Sequence, residues 1–501
     1  MLESYTGLTP WMGDIHNHCG ISYGHGTIEE AYANARLQLD FASVTGHAHW
    51  HDMPEGEPRL DDLRRYHEEG FARLAEAWDD VQRVTQDAHE DGRFVTFQSF
   101  EWHSMTYGDH CVYYDDAKGP ILRSKDLPTL RADLRNLGRR AMALPHHIGY
   151  HRGWRGINWD TYTPEFAPVV EMVSMHGCGE SDRAARPYLH TMGPRDAGST
   201  VEEGLRRGHR FGLIGSTDHH SAHPGSHGYG RAMVWAPELT RDALWGAIQA
   251  RRTYAITGDR ILLATELDGR PMGTDGTPAK AGTRVFRAEV AGRDALDYVE
   301  VVRNGAVIHR ESPLVGASDG SGSFRGTTGF TVGWGKLRVP VTWDVTLEVR
   351  GGRLVDVEPR LHGEDIVAPA DREPDRFAFS AVDRISDSAV RLRTLTSGNP
   401  TVTTDATQGL SVTVEGDDRT VIALTVNGVE HTRTIGELRQ GPRTGYTGGF
   451  VSGAFRFERA VAEHLLRASV TVEDDHDGPA WYYARVRQVN DQWAWGSPHW
   501  S

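Results

Sequence analysis

The sequence predicts an α/β region over residues 1–258, followed by an all-β, sandwich-like region over residues 259–501. Three observations lead to this prediction. Short apolar runs alternate with amphipathic helical patterns as far as Gly258. Beyond it, strand-like runs follow one another closely, separated by Gly, Asp and Asn turns. Of the 26 histidines, 20 lie before residue 231, so we expect one domain that concentrates histidine and a second region, of one or two modules, that does not.

The first region contains strand and helix patterns in alternation. Five short runs rich in β-branched and aromatic residues are candidate buried strands: Phe41–Thr45, Phe94–Phe100, Ala141–Leu144, Val169–Met175 and Phe211–Gly215. Four helical patterns lie between or beside them: one that opens at Thr27 with an acidic first turn, then Asp61–His89, Pro128–Arg140 and Thr240–Arg252. Strands and helices joined by short links predict parallel βα units, and hence a barrel or an open α/β sheet.

The strand candidates of the second region are separated by Gly, Asp and Asn turns rather than by helical patterns. They are Tyr298–Val302, Val341–Val349, Ser411–Val414, Val421–Val426 and Ala468–Val472. One helix-like stretch, Ala460–Leu466, interrupts them. Residues 482–501 alternate apolar and polar side chains across an Asn-Asp turn, which predicts a terminal hairpin.

Composition excludes several classes of function. The net charge of −15 argues against non-specific nucleic-acid binding and against an anionic membrane surface. No apolar run approaches eighteen residues, and the first ten residues lack a secretory signal, so we expect a cytoplasmic protein. Three cysteines without a CxxC motif fit a reducing compartment. The expected partner is a small-molecule substrate, and a homo-oligomer is compatible with the sequence.

Metal-binding residue types occur in five segments, four of which follow a candidate strand. The segments contain His16 and His18; His47 and His49; Glu101, His103 and His110; His146 and His147; and Asp218, His219 and His220. Residues two apart in an extended segment share a face, so both imidazoles of an HxH pair can reach one ion. In parallel α/β folds the active site lies at the carboxyl edge of the sheet, where four of these segments would meet.

These motifs resemble those of the PHP (polymerase and histidinol phosphatase) superfamily over roughly residues 11–258. Within it, the segments RRTYAITG and AWGSPHW are similar to the bacterial, carbaryl-hydrolase-like branch in which a β domain follows the catalytic domain. The resemblance implies a distorted (β/α)7-type barrel that holds two or three divalent metals. It implies the ligand set His16, His18, His25, His47, Glu101, His110, His146, Asp218 and His220, with His147 as the alternative to His146.

Nine donors exceed the coordination of a single ion, so two or three ions are expected. Imidazole and carboxylate without thiolate suit Zn, Fe or Mn. Such ions imply hydrolysis by a metal-bound hydroxide. The candidate proton donors are His49, His147 and His176, beside the further candidates His103, His151 and His219. Arg155, with Arg152, could bind an anionic substrate group, although a solvated loop is an equal alternative.

Three functional hypotheses follow. The first is a metal-dependent phosphoesterase, the second an ester, amide or carbamate hydrolase for a small aromatic substrate, and the third a non-catalytic binding protein with structural metals. A pocket lined by arginine would favour the first hypothesis, and one lined by tryptophan, with Trp50, Trp154 and Trp159 as candidates, the second. A closed structural site needs only three or four ligands, so nine donors argue against the third.

Overall fold

The structure is a computed structural model, and it describes residues 2–186, 193–274, 282–316, 322–336, 339–364, 379–398 and 406–501. The helices are α1 Ile28–Arg36, α2 Asp61–Asp87, α3 Leu127–Asn136, α4 Val201–Arg206, α5 Arg241–Gln249, α6 Ile435–Arg439 and α7 Glu463–Leu466. The strands up to residue 258 are β1 Thr9–Asp14, β2 Phe41–Ala42, β3 Gly46–Trp50, β4 Val95–Thr96, β5 Gln98–His103, β6 His110–Tyr114, β7 Ala141–Pro145, β8 Val169–Ser174, β9 Gly177–Cys178, β10 Gly212–Gly215, β11 Arg231–Ala236 and β12 Thr253–Ile256.

Twenty further strands are described after residue 258. They are β13 Leu262–Leu267, β14 Arg270–Pro271, β15 Arg284–Ala291, β16 Leu296–Arg303, β17 Ala306–Glu311, β18 Ser323–Trp334, β19 Val341–Arg350, β20 Arg353–Arg360, β21 Ser380–Arg384, β22 Ala389–Thr396, β23 Gln408–Asp417, β24 Val421–Val426, β25 Val429–Thr434, β26 Arg443–Tyr446, β27 Gly453–Phe457, β28 Val461–Ala462, β29 Arg467–Asp474, β30 Trp481–Gln488, β31 Trp493–Gly496 and β32 His499–Trp500. The protein is therefore mixed α/β and rich in strands.

The predicted helix starts coincide with side-chain caps. Thr27 and Glu30 form a reciprocal capping box at the start of α1, and Asp126 and Thr240 accept backbone N–H groups at the starts of α3 and α5. A cap satisfies a backbone donor that has no partner within the helix, so it fixes where the helix begins. Helix α2 begins at Asp61, as its amphipathic pattern predicts.

The strands of the first region are divided among three sheets. The orders are β3-β5-β6-β7, β10-β8-β9, and a ten-stranded sheet that contains β12-β11-β1-β2-β4. Pairing is parallel for β1/β2, β2/β4, β3/β5 and β8/β10 but antiparallel for β1/β11, β5/β6 and β6/β7. The expectation of a wholly parallel arrangement is corrected accordingly. The described residues do not close into one hydrogen-bonded barrel, because these sheets remain separate.

One predicted strand is in fact two. The run Phe94–Phe100 divides into β4, which joins the ten-stranded sheet, and β5, which pairs with β3 and β6. Likewise, only Phe41–Ala42 of the predicted strand Phe41–Thr45 is a strand in the structure. The motif that contains His47 and His49 forms the separate strand β3. The single apolar run 94–100 thus contributes one strand to the ten-stranded sheet and one strand to the sheet β3-β5-β6-β7.

The ten-stranded sheet crosses the boundary predicted at residue 258. Strand β12 pairs antiparallel with β31, and β31 pairs with β30, so the predicted hairpin over 482–501 extends the sheet of the first region. In the rest of the β region, a six-stranded and a five-stranded sheet share one core to which β18, β19, β22 and β23 contribute. Strands β13, β14, β15 and β29 form a separate four-stranded sheet, and β16 and β17 belong to the ten-stranded sheet. Among the described residues, none of the helices combines the length and the apolar composition needed to span a bilayer.

Candidate metal centre

Asp218 lies at the centre of one group of imidazoles. It follows β10 and has a left-handed backbone conformation (φ 54°), which Asp tolerates better than most residues. Its Oδ1 lies 3.2 Å from His16 Nε2 and 3.0 Å from His18 Nε2, and its Oδ2 lies 3.0 Å from His176 Nε2. The carboxyl ends of β1 and β10 therefore bring the HxH pair and Asp218 together.

Glu101 is the second carboxylate of the centre. Its Oε1 lies 2.8 Å from His146 Nε2, and its Oε2 lies 3.2 Å from His47 Nε2 and 3.5 Å from His18 Nε2. All of these side chains are buried. Since His18 approaches both Glu101 and Asp218, the two carboxylates share one imidazole and form a continuous centre.

Several overlapping sets of donors are close enough to hold metal ions. They are His16, His18 and Glu101; His18, His47 and His220; His47, Glu101 and His103; Glu101, Asp109, His146 and His147; and His16, Cys111 and His146. The sets share members, which is the arrangement needed when neighbouring ions share ligands.

Protein groups fix the outward-facing nitrogen of several imidazoles. His16 Nδ1 lies 2.8 Å from Glu171 Oε2, and His220 Nδ1 lies 2.8 Å from the carbonyl oxygen of Asp218. Carbonyl oxygens and ionised carboxylates only accept hydrogen bonds, so these contacts favour a proton on Nδ1 and direct each Nε2 towards the centre. His47 Nδ1 is similarly 3.1 Å from Ser22 Oγ.

The electrostatics of the buried groups fit a divalent cation. Burial lowers the pKa of His47, His146 and His220 well below the ordinary value, so these imidazoles are neutral, the form that binds metal. Burial raises the pKa of Glu101 well above its ordinary value, and its Oε2 makes no hydrogen bond although two imidazole nitrogens lie nearby. A cation between these acceptors would compensate the buried carboxylate. The donor set therefore suits a divalent cation.

The predicted ligand His110 points away from this centre. Its neighbour Cys111 pairs with Glu101 across β5 and β6, and Cys111 Sγ lies 3.6 Å from His146 Nδ1. Because successive strand residues face opposite sides, Cys111 occupies the side of the centre, and His110 bonds to the carbonyl oxygen of Gly108 instead.

Two other predicted residues lie outside the donor sets named above. The backbone N–H of His25 donates to the carbonyl oxygen of His220 (2.8 Å), and His25 is half-buried. In β3 a bulge at Ala48 makes His47 pair with Glu101 but His49 pair with Trp102. The extra residue reverses the alternation, so His49 and His47 do not face the same side.

Three of the candidate catalytic residues do meet at the centre. His147 lies 3.6 Å from Asp109 through Nε2 and 3.9 Å from Asp218 through Nδ1, and Arg155 donates from Nε to Asp109 Oδ2 at 2.6 Å. His176 joins them through Asp218. Arg152 instead pairs with Asp160 at the surface, so of the two arginines Arg155 alone reaches the centre.

The sequence analysis missed Asp109 and the ligand role open to His103. Asp109 accepts from Arg155 and lies 3.1 Å from His103 Nδ1. His103 follows Glu101 by two residues on β5, so its position on the same face was available from strand alternation. The role of Asp109 had no such signal, because Asp109 lies in the loop between β5 and β6 and its partner Arg155 comes from a distant segment.

A cavity of about 430 Å³ opens above the carboxylates. Its floor consists of His47, Glu101, His147, His176, Asp218 and His220. Trp50 and Trp154 contribute to its walls, whereas Trp159 packs in the core against Phe211. A volume of this size accommodates a small-molecule substrate.

Comparisons with known proteins give partial matches. A family model described as "Protein of unknown function (DUF3604)" matches residues 226–265. An uncharacterized protein of Chlamydia pneumoniae is 26% identical over 255 residues, which is 47% of this chain and 41% of the relative. An uncharacterized protein of Chlamydia trachomatis is 24% identical over 253 residues, 46% of this chain and 40% of the relative. The matches therefore span about two-fifths of the length of these relatives.

One solved structure that is similar to this chain is a two-domain protein from Bacteroides vulgatus that contains a predicted PHP-like metal-dependent phosphoesterase. Its TM-score is 0.32 with 14% identity, and the match covers 60% of this chain and 81% of that one. None of these matches supports the carbaryl-hydrolase-like branch.

Proposed function

We propose that the protein is a divalent-metal-dependent hydrolase. The observation that carries the proposal is the convergence of imidazole Nε2 atoms on Glu101 and Asp218, with Glu101 Oε2 buried and without a hydrogen bond. The proposed ligands are those nearest the two carboxylates, with His16, His18, His47, His146 and His220 as imidazoles. His25 and His110 remain predictions from the resemblance, and the orientation of His110 does not favour it.

The protein's own groups have distinct proposed roles. When bound, two or three ions would lower the pKa of a shared water molecule and polarise the bond to be cleaved. Glu171 orients His16 through Nδ1. His147 and His176 line the cavity beside Asp218, where either could transfer a proton to the leaving group. Arg155 is held by Asp109, which fixes its guanidinium at the cavity wall.

We propose a phosphoester as the preferred substrate class, since several cations would bind phosphoryl oxygens directly. A carboxylic ester, amide or carbamate is the second class, and one observation favours it: the charge of Arg155 is already paired with Asp109 at 2.6 Å. A non-catalytic protein with structural metals is the remote alternative. The number of converging donors, larger than one closed site needs, and the open cavity above them argue against it.

The decisive experiment combines metal analysis with a substrate screen. Purified protein from metal-replete growth should hold at least two equivalents of Zn, Fe or Mn, and it should hydrolyse a member of a panel of aryl phosphates, phosphodiesters, aryl esters and carbamates. Chelation should remove the activity, and the metal should restore it. One equivalent or fewer, or activity that survives complete chelation, would contradict the proposal.

A further inference from the structure

The backbone that carries Asp218 and His220 is tied to the HxH motif. The Asp218 N–H donates to the carbonyl oxygen of His16 at 2.8 Å, and the His18 N–H donates to the carbonyl oxygen of His219 at 2.7 Å. Donors from two distant segments are thus joined through their main chains. The positions of Asp218 and His220 in the metal centre therefore depend on where this backbone lies.

A part of the β region contacts the residue between these two donors. Residues 361–363 directly follow β20, and Gly363 packs against the imidazole of His219. A Cβ atom on Gly363 would lie 2.8 Å from His219 Nε2 and 2.5 Å from His223 Cβ, which is closer than side-chain atoms approach one another. The close approach therefore requires glycine at position 363.

Hydrogen bonds hold this segment of the β region in place. The Gly363 N–H donates to Ser226 Oγ at 3.0 Å, and the His227 N–H donates to the carbonyl oxygen of Leu361 at 2.9 Å. All four residues are buried. Gly363 could move away from His219 only by leaving buried polar groups without partners, which is unfavourable.

The ring of His219 is itself fixed by its neighbours. Its Nδ1 accepts a hydrogen bond from the Ser221 N–H at 3.2 Å, and its ring stacks on that of Tyr229 with the centroids 6.1 Å apart. The side chain is buried. Because interiors are closely packed, a group added at Gly363 would displace the backbone of His219 as well as its ring.

We propose that residues 361–363 of the β region position Asp218 and His220 in the metal centre. They act through the imidazole of His219, which lies between the two donors in sequence. Gly363 and His219 are positioning residues, since neither is among the described residues that line the cavity above the centre. The inference rests on the proposed function for the identity of the centre, and it adds that the β region supports the geometry on which catalysis depends.

The test compares wild type with Gly363→Ala in the full-length protein loaded with Co²⁺, whose visible absorption spectrum depends on the number and geometry of its ligands. We expect a changed spectrum and a kcat/KM about tenfold lower or less, since small displacements of reacting groups slow catalysis strongly. The Co²⁺ stoichiometry should be retained, because the donors themselves all precede residue 258.

Two control variants separate positioning from a general loss of stability. Val470→Ala removes buried methyl groups from the separate four-stranded sheet of the β region. It should lower the urea midpoint but leave the Co²⁺ spectrum unchanged. Gly449→Ala adds a methyl group where no atom lies within 4 Å, so it should alter neither property.

A second variant keeps the test decisive if Gly363→Ala does not fold. His219→Ala removes the ring on which Gly363 acts and adds no atoms, so it should also change the Co²⁺ spectrum and weaken Co²⁺ binding by roughly tenfold. Competition with a coloured chelator measures that affinity.

The outcomes distinguish this inference from the proposed function. A spectrum, affinity and kcat/KM equal to those of wild type in Gly363→Ala, or in His219→Ala if the former does not fold, would overturn the inference and leave the hydrolase proposal intact. Wild type that binds Co²⁺ but hydrolyses no substrate would reject the hydrolase proposal, and the spectra and affinities would still decide the positioning role. Wild type that binds no Co²⁺ would reject the metal centre and the inference with it.

Discussion

The segment 218–227 contributes residues to two histidine clusters. The metal-centre cluster consists of His16, His18, His47, His146 and His220 around Glu101 and Asp218. The rear cluster consists of His219, His223, His227 and His362, with ring centroids 6.2 Å apart for His219 and His223 and 5.4 Å apart for His227 and His362. Both clusters are buried and rich in histidine, yet their surroundings differ.

In the rear cluster, an arginine and a histidine satisfy the buried carboxylate of Asp259, whereas His219 Nε2 and His223 Nδ1 make no hydrogen bond. His227 Nε2 lies 2.9 Å from Asp259 Oδ1, and the same oxygen accepts from Arg360 Nε at 2.7 Å. In the metal-centre cluster, the nearest arginine atom to Glu101 is Arg155 Nη2 at 3.9 Å, and imidazoles surround the carboxylate instead. The density of histidine therefore does not specify a metal site. A metal site is indicated instead by a buried carboxylate that faces neutral imidazoles rather than arginine.

The largest effect should come from removing a carboxylate of the metal-centre cluster. We expect Glu101→Gln and Asp218→Asn each to lower metal content and to reduce kcat/KM by on the order of 10³ or more, because several kcal/mol of stabilisation by the ions is lost. Asn suits position 218 because it tolerates the positive φ found there. Elemental analysis and rates check both effects. His223→Gln, in the rear cluster, should keep the metal stoichiometry, and equal metal loss in that variant would remove the distinction between the clusters.

Truncation after residue 258 separates the clusters physically. The metal-centre donors all precede residue 258, whereas the rear cluster depends on His362 and Asp259. We expect the fragment 1–258 still to bind metal but to be less soluble, because β12 loses its partner β31. Metal analysis and circular dichroism of the fragment are the measurements. A metal-free, unfolded fragment would show that the shared sheet is needed for the centre to form.

A smaller effect is expected from the group that orients His16. Glu171→Gln weakens the interaction at His16 Nδ1, so metal affinity should fall by roughly 10- to 100-fold with the fold retained. Competition with a coloured chelator measures that affinity. Glu180→Gln is the matched control, because Tyr483, Arg485 and Trp495 bind its carboxylate instead of an imidazole. An affinity unchanged in Glu171→Gln would show that His16 needs no orienting carboxylate.

The smallest effect concerns acid stability of the rear cluster. Burial lowers the pKa of His227 to about 4, against about 6.5 for an exposed histidine. Between these values the unfolded chain binds a proton that the folded protein excludes, so the free energy of unfolding is unaffected above pH 6.5 and falls as the pH falls towards 4.

At pH 5.0 this contribution amounts to about 2 kcal/mol relative to pH 7.5. Urea unfolding in the presence of chelator, at both pH values, should therefore show a smaller loss for His227→Gln than for wild type. Chelator removes any contribution from metal release. Equal losses in the two proteins would place the acid sensitivity elsewhere.

The local features of the protein could be predicted from short stretches of sequence. Strands β7, β8 and β10 lie where their short apolar runs predict, and helices α1, α3 and α5 begin within one residue of the predicted starts. The HxH pair, Glu101 and Asp218 were also recognisable, because donor residues directly after apolar runs follow from strand geometry alone. Periodicity over a few residues contains this information.

Long-range contacts determine which of two neighbouring residues faces the centre and which other residues complete the centre. The bulge at Ala48 turns His49 aside, and the register of β5 with β6 places Cys111 rather than His110 beside His146. The pairing of β12 with β31 joins the two predicted regions in one sheet. The physical reason is common to all three: strand register and pairing depend on partners far away in sequence, and a shift of one residue exchanges the two faces of a strand.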